Sequence, residues 1–486
     1  MPCCQLSWEG WEKLAARFSD QRVTSAISGI CRFAARIGYE GVRESPTIHP
    51  NLSTAQADTN LVTADIAIEL SKNQLPVYPN KECLPIAFTA SPLGLTDKAD
   101  GSQRRIHQLS YPTTDGSSIN VGVPEHYGTM TYSGIGEPIQ AIQDMGKDCI
   151  LVKRDFESAF RHIPVSPLDS PLLGFQWEST YYAESFLPFR LRTAPYLFYL
   201  FAEVFPRILE ETLNAQGLRG RIIHYLNDFL IVRPPESNPE QYTTLFTKLC
   251  GEVGLSIKES KNEEGKVASF AGIECDTKHM VIPLPTKKLL KAQSMTQRTA
   301  EKKSASLLDL QRITGYLNFV STVVPLGRTF FRRLYNMELY FTPGSRYHKR
   351  RLSSEARKDL MWWTETLSTA PEWSIASQFR EMILTWSDAA STNGLGGYYT
   401  SESQPFPQLD SIISIALPRS IAHGREHINT KEMQGVEQVL LQWGRGWKGK
   451  LVVILSEDKN NRGSTIDSNA PLLITLHLLH HRNKSI

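Results

Sequence analysis

Cysteine is scarce in this sequence: seven among 486 residues, at positions 3, 4, 31, 83, 149, 250 and 275. None forms a C-x-x-C pair and none follows Cys275, so neither a disulfide framework nor a thiolate zinc site is expected. The implied setting is a reducing, intracellular one, with nucleus and cytoplasm both open. No run of about 18 apolar residues is present, so no membrane span and no membrane partner is expected. The opening Met1-Pro2-Cys3-Cys4-Gln5 lacks the basic-then-apolar pattern of a secretory signal. Internal repeats and sustained heptads are also missing, which excludes solenoids and long coiled coils. What remains is an ordinary globular composition, 41% hydrophobic and 21% charged, in a chain long enough for roughly two to four domains.

The formal charge of +3 hides an asymmetry. Between Thr286 and Leu360 there are 16 Lys and Arg against 5 Asp and Glu, a local +11 that leaves −8 on the remainder. Such a division fits a protein that meets a polyanion with one region and gathers acids in another. For the charge run alone, a solvated helical surface is the alternative.

Periodicity gives the organisation. Helical patterns run from Trp8 to Phe18 and Val23 to Ile37, with a shorter one around Ile66 to Leu70, before Pro76, Pro79 and Pro85 break the pattern. From about 86 to 280, short β-rich runs alternate with helices. Thr193-Ala194-Pro195 opens one helix that extends to about Asn214, and another runs from Pro239 to Val253. Residues 286 to 370 read as helical and basic, with Trp362, Trp363 and Trp373 as packing residues. Residues 380 to 480 return to strands and then a helix.

Tyr225-Leu226-Asn227-Asp228 lies between the apolar runs Arg221 to His224 and Phe229 to Val232, and so reads as a hairpin tip with polar groups exposed at the turn. Earlier, Ile150-Leu151-Val152-Lys153-Arg154-Asp155 places another acid at the end of an apolar strand. Acids brought together from the ends of separate strands suit the binding of hard divalent cations in phosphoryl transfer.

Taken in order, several motifs resemble those of reverse transcriptases from long-terminal-repeat and related retroelements. They are Lys98-Ala99-Asp100-Gly101 with Arg104 to Ser110, Lys153 to Val165, Leu187 to Pro195, Tyr225 to Asp228, Gly254-Leu255 with Lys261, and Phe270 to Thr277. With Ser117-Ser118-Ile119-Asn120 and Leu172-Leu173-Gly174-Phe175 added, the series is most similar to tyrosine-recombinase (DIRS-class) retrotransposons, and a fungal source is expected. The resemblance implies an α+β, right-hand polymerase of fingers, palm and thumb, followed by an α/β RNase H-like domain. The expected divisions are an N-terminal helical extension (1–85), fingers and palm (86–280), a helical, basic thumb and connection (281–370), and an RNase H-like domain (380–486) that is incomplete at its C-terminus.

The same resemblance assigns roles. Asp155 and Asp228 would ligate Mg²⁺, with Mn²⁺ as the alternative ion. Lys98 and Arg104 would neutralise triphosphate charge, and Phe189 and Arg190 belong to the nucleotide-pocket motif. Phe160 would close off the space beside the sugar 2′ carbon and so favour deoxynucleoside triphosphates; simple core packing is the alternative. Lys261, Arg312, Arg328, Arg332 and Arg333 would hold the template-primer, an RNA/DNA hybrid included, through its phosphates.

Two positions depart from the family pattern. Asn227 stands where the family has the first Asp of Tyr-x-Asp-Asp, which removes one negative charge from the centre. A unit charge pair about 4 Å apart is worth about 4 kcal/mol at an effective dielectric of about 20, or on the order of a thousandfold in rate. Arg190 stands where the family has glycine and is expected to crowd nucleotide or template. Polymerisation is therefore expected to be impaired, and a catalytically decayed nucleic-acid-binding protein or transposon relic is the alternative.

A second acidic series follows. Asp388 ends the apolar run Leu384-Thr385-Trp386-Ser387, Thr430 is the expected N-cap of a helix with Glu432 in its first turn, and Leu451 to Leu455 leads to Glu457-Asp458. The order Asp, helix Glu, strand-end acid is similar to ribonuclease H. Asp388 and Glu432 are its expected metal ligands, and either Glu457 or Asp458 serves as third acid.

Overall fold

The computed structural model describes residues 6–18, 20–98, 101–112, 117–130, 134–324, 327–342, 347–375, 382–389, 394–401, 403–416, 428–447, 451–456 and 472–477. The chain divides into two compact units, Met1–Ile375 and Ala376–Ile486.

At the centre of the first unit lies an antiparallel sheet in the order Glu263–Gly265, Ile150–Asp155, Asp228–Arg233, Arg221–Tyr225. Its central strand Asp228–Arg233 carries the apolar run Phe229 to Val232 and is buried along that run. Strand alternation sends Val152, Phe229 and Ile231 to one core, with Phe198, Phe201 and Phe205 of the helix Ala194–Ala215. It sends Leu151, Leu230 and Val232 to another, with Phe270, Cys275 and Leu310. The Ala194–Ala215 helix carries Pro195 in its first turn, where a missing N–H costs nothing.

The region expected as an N-terminal extension shares the first of these cores. Ser7 caps the helix Trp8–Ala15 through the Gly10 amide, and Asp20 caps Gln21–Phe33 through the amides of Arg22 and Val23. Trp11 is fully buried and meets Phe201 edge-on at 4.9 Å between ring centroids. A third helix, Thr59–Ser71, is capped by Asp58. Its residues Val62 and Ile66 pack with Leu93, Leu95 and Phe175, beneath the hairpin of Leu93–Asp97 and Gln103–His107.

The basic region is tied to the sheet region before it. Val281–Pro283 pairs with Ile273–Asp276 on one side and Glu372–Ser374 on the other, so the boundary expected at 280 falls inside a sheet. Between these strands run the helices Thr286–Glu301, Leu307–Val320, Arg332–Glu338 and Ser354–Ser368. Ser306 and Asp309 cap the second with a reciprocal box. Trp363 is fully buried and Trp362 stacks on Phe330 at 3.9 Å, so both tryptophans pack.

The second unit contains a five-stranded sheet in the order Ile412–Ala416, Gly394–Ser401, Met382–Ala389, Leu451–Ser456, Leu472–His477. Met382–Ala389 and Leu451–Ser456 run parallel. Val436 and Val439 of the helix Ile428–Trp443 pack on it with Ile383, Val452 and Ile454. Helical backbone is already present at Ile428, so Thr430 is not the N-cap and Glu432 falls beyond the first turn. A capping preference of about 1 kcal/mol does not fix where a helix starts when packing of its apolar face extends it.

Candidate active site

The hairpin tip is a two-residue turn. Tyr225 pairs with Asp228 across it, and Leu226 takes a φ of 54° at the first turn position, the left-handed backbone that a tight hairpin needs there. On its other side Asp228 is the register partner of Asp155, so the two strand-end acids are direct cross-strand neighbours. Phe156, next along, is buried and meets Phe205, Phe229, Phe198 and Phe246 at 4.6–6.4 Å, which anchors the end of this strand. Burial raises the Asp228 carboxyl above the usual range; Lys153 opposes this and Asp155 adds to it.

Asp155 itself is almost wholly buried, and both of its carboxylate oxygens are engaged. Oδ1 accepts from Asn227 Nδ2, and Oδ2 forms an ion pair with Lys261 Nζ. Lys261 reaches it because the chain after Gly254 is stitched to the Asp155 strand. The Lys258 amide donates to the Asp155 carbonyl at 2.8 Å, and the Glu157 amide donates to the Ser256 carbonyl at 2.9 Å. A short 3-10 turn, Glu259–Lys261, then directs the lysine back. Lys261 was expected on the template-primer; the structure puts its ammonium on Asp155.

Beside these residues lies a cleft of about 310 Å³ lined by, among others, Arg104, Glu157, Ser158, Pro188 and Phe189, within the size range of small-molecule sites. Arg104 is exposed on the Gln103–His107 strand, and Lys98 is exposed beyond the partner strand. Phe160 packs at 5.3 Å from Phe189 and 6.0 Å from Phe198, so it sits at the core edge behind Phe189, which lines the cleft. Arg190 has a φ of 70°, the left-handed region that favours glycine. Its side chain is exposed and reaches Gln108 Oε1 at 3.2 Å.

The floor of the cleft holds a buried ion cluster that sequence reasoning missed. Arg161 joins Glu69 at 2.6 Å and also pairs with Glu184; Arg105 pairs with Glu69, and His107 lies 3.6 Å from Glu184. Burial, then the charge of Glu184, raises the Glu69 carboxyl. Burial also pushes Glu184 upward, but Arg161 beside it holds it well below the usual range. One signal was available: neighbouring Arg104 and Arg105 on a strand must face opposite sides, so one of them turns inward.

Of the arginines expected to hold phosphates, Arg312, Arg328 and Arg332 are exposed. Arg333 is exposed as well, and it also bonds the buried Asp359 at 2.9 Å. In the second unit, Asp388 is exposed near the end of its strand. The helix carrying Glu432 lies close against that strand: a methyl group on Gly435 would come within 3.6 Å of the Asp388 carbonyl oxygen. Glu457 and Asp458 lie outside the described residues.

Two adjoining carboxylates fit one hard cation, since Mg²⁺ commonly takes one or two protein carboxylates and completes its shell with water and phosphate. A second divalent ion has fewer anionic ligands here, because Asp155 faces the Lys261 ammonium and its other neighbour, Asn227, is a neutral amide. Among the described residues no group of three or more His, Cys, Asp or Glu is placed to hold a metal.

Residues 99–275 match the family model described as reverse transcriptase (RNA-dependent DNA polymerase), and the chain carries that domain. No curated protein matches the sequence. Among solved structures, a foamy viral protease-reverse transcriptase in complex with double-stranded DNA is similar, at 15% identity and TM-score 0.52, over 93% of this chain and 75% of that one. A second, in complex with an RNA/DNA hybrid, gives 15% and 0.51 over 92% of this chain; here the chain spans 57% of the relative's length. At such identity the likeness is one of fold: this is a reverse transcriptase-like fold of mixed helix and strand.

Proposed function

We propose that this chain is a retroelement-derived RNA-directed DNA polymerase, related to the DIRS class and of fungal origin, whose polymerisation is impaired. The observation that carries the reading is the register pairing of Asp155 with Asp228 at the hairpin, beside a cleft that Arg104 and Phe189 line. In this reading Asp155 and Asp228 hold Mg²⁺, which when bound supplies electrophilic stabilisation of phosphoryl oxygens. Lys98 and Arg104 bind the triphosphate of an incoming deoxynucleotide. Phe160 and Phe189 shape the sugar side of the cleft, and Arg312, Arg328 and Arg332 bind the phosphates of template-primer. The ligands carried by the foamy viral structures, double-stranded DNA and RNA/DNA hybrid, are proposed for this chain too.

The second unit is proposed to be RNase H-like. A central Asp388 strand parallel to Leu451–Ser456, with the Glu432 helix packed on the sheet, supports this. Impairment is supported by Asn227, by Lys261 on Asp155, and by Arg190 at positive φ. The same three features favour a second reading, a decayed copy that still grips nucleic acid.

Primer extension tests the proposal. The starting chain, Asn227→Asp and Asn227→Asp/Arg190→Gly are compared on RNA and DNA templates. Recovery in the variants alone is expected. Equal rates in all three would overturn the impairment, and no extension by any would favour the binding protein.

A further inference from the structure

The engagement of Asp155 has a consequence for cation binding that goes beyond a missing acid. Its carboxylate is 2% exposed, and its two oxygens meet Lys261 Nζ and Asn227 Nδ2. Lys261 is held at this place by the backbone rather than by chance of a long side chain. Ser256 is tied twice, its amide to His162 Nε2 at 3.0 Å and its carbonyl to the Glu157 amide at 2.9 Å. Lys258 is bonded to the Asp155 carbonyl, and the Lys261 amide closes the turn onto the Lys258 carbonyl at 3.1 Å. The ammonium therefore comes from a segment laced to the strand that it neutralises.

We infer that Lys261 is a resident counter-cation of Asp155 that competes with a divalent ion for this carboxylate, so that metal binds only when the lysine swings away. The inference rests on the reading of Asp155 and Asp228 as a divalent-cation site. An ammonium and a divalent ion cannot share Asp155 Oδ2 without strong repulsion. The Lys261 side chain is 52% exposed, so solvent can receive it once it is displaced. The other charged groups around Asp228 are Lys153, which lies 3.7 Å from Glu263, and Glu263 itself. Lys153 thus has an acid of its own, whereas Lys261 is committed to Asp155. Asn227 strengthens the arrangement: as a neutral donor it satisfies the second oxygen without adding charge that would favour a metal over the lysine.

The test is Mn²⁺ binding to the full chain, read by electron paramagnetic resonance of the free ion, for the starting protein, Lys261→Met, Lys261→Arg and Asp228→Asn. Lys261→Met is expected to bind Mn²⁺ about tenfold more tightly, about 1.4 kcal/mol, and Lys261→Arg to bind no more tightly than the starting protein. Binding in Lys261→Met equal to or weaker than in the starting protein overturns the inference. If Asp228→Asn abolishes binding while Lys261→Met leaves it unchanged, the cation site stands and the competition falls. If no variant binds Mn²⁺, both fall. A second measurement avoids substitution: mass-spectrometric amine labelling of the starting protein. Lys261 is expected to label several-fold faster at saturating Mn²⁺ than in its absence. An unchanged labelling rate with Mn²⁺ bound refutes displacement.

Discussion

Replacing Arg190 by glycine should make the protein more stable. Asn120 clamps the backbone here: its Nδ2 donates to the Arg190 carbonyl and its Oδ1 accepts from the Arg192 amide, each at 2.8 Å. Asn120 is buried, so the clamp, and not the exposed Arg190 side chain, sets the φ of 70°. Holding an L-residue in this region costs roughly 1–2 kcal/mol relative to glycine. Glycine gives back about 0.5–1 kcal/mol through the greater freedom of its unfolded chain. The bond to Gln108 is exposed and contributes little. Arg190→Gly should therefore gain about 0.5–1 kcal/mol, while Arg190→Ala, which keeps a Cβ, should stay within about 0.5 kcal/mol of the starting chain. Urea unfolding is the assay. With a slope of about 3 kcal/mol per molar for a large unit, the glycine variant should shift the midpoint upward by roughly 0.2–0.3 M. In an Asn120→Ala background the gap between Arg and Gly should shrink, because the backbone is then free to leave positive φ. A glycine variant no more stable than the alanine variant would refute the strain argument.

Other outcomes follow from the same geometry. Asn227→Asp should raise Mg²⁺-dependent primer extension by up to on the order of a thousandfold; no increase, in a protein that still binds template-primer, would show that the missing charge is not what limits it. Arg161→Ala removes the Arg161 ion pair from the buried Glu184 and leaves the partly buried Glu69 with Arg105. A loss of about 3–5 kcal/mol is expected, and thermal unfolding that reports under about 1 kcal/mol would count against the cluster as a structural clamp. Arg332→Ala and Arg333→Ala should separate. The first should lower the salt slope of hybrid binding, measured by fluorescence anisotropy, by about 0.9 without changing stability. The second should leave the slope alone and cost about 1–3 kcal/mol, because it abandons the buried Asp359.

Much of the fold was legible because it is written locally. The apolar runs around Tyr225 to Asp228 required a hairpin, and Pro195, Pro239 and Gly254 mark helix ends where the structure has them. The tryptophans of the basic region read as packing residues, and Trp362 and Trp363 pack. Three of the N-terminal helices were visible too, each with a side-chain cap. Their role was not, since nothing local to Trp11 says that it will meet Phe201.

The sequence by itself determined that acids sit at the ends of apolar strands, that a basic helical region follows, and that one expected acid is an amide and one expected glycine an arginine. Periodicity, turn chemistry and residue type act within a few residues, so they survive without coordinates. Tertiary structure alone decided that Asp228 is the register partner of Asp155, that Lys261 stands on Asp155 and Arg333 on Asp359, and that Glu69, Arg105, Arg161 and Glu184 from four separate segments form one cluster. It also decided that the chain at Arg190 runs at positive φ. These are pairings between residues tens to more than a hundred positions apart, or a backbone angle imposed by such a residue. They are set by the packing of whole sheets and helices, and a short sequence window does not name the partners.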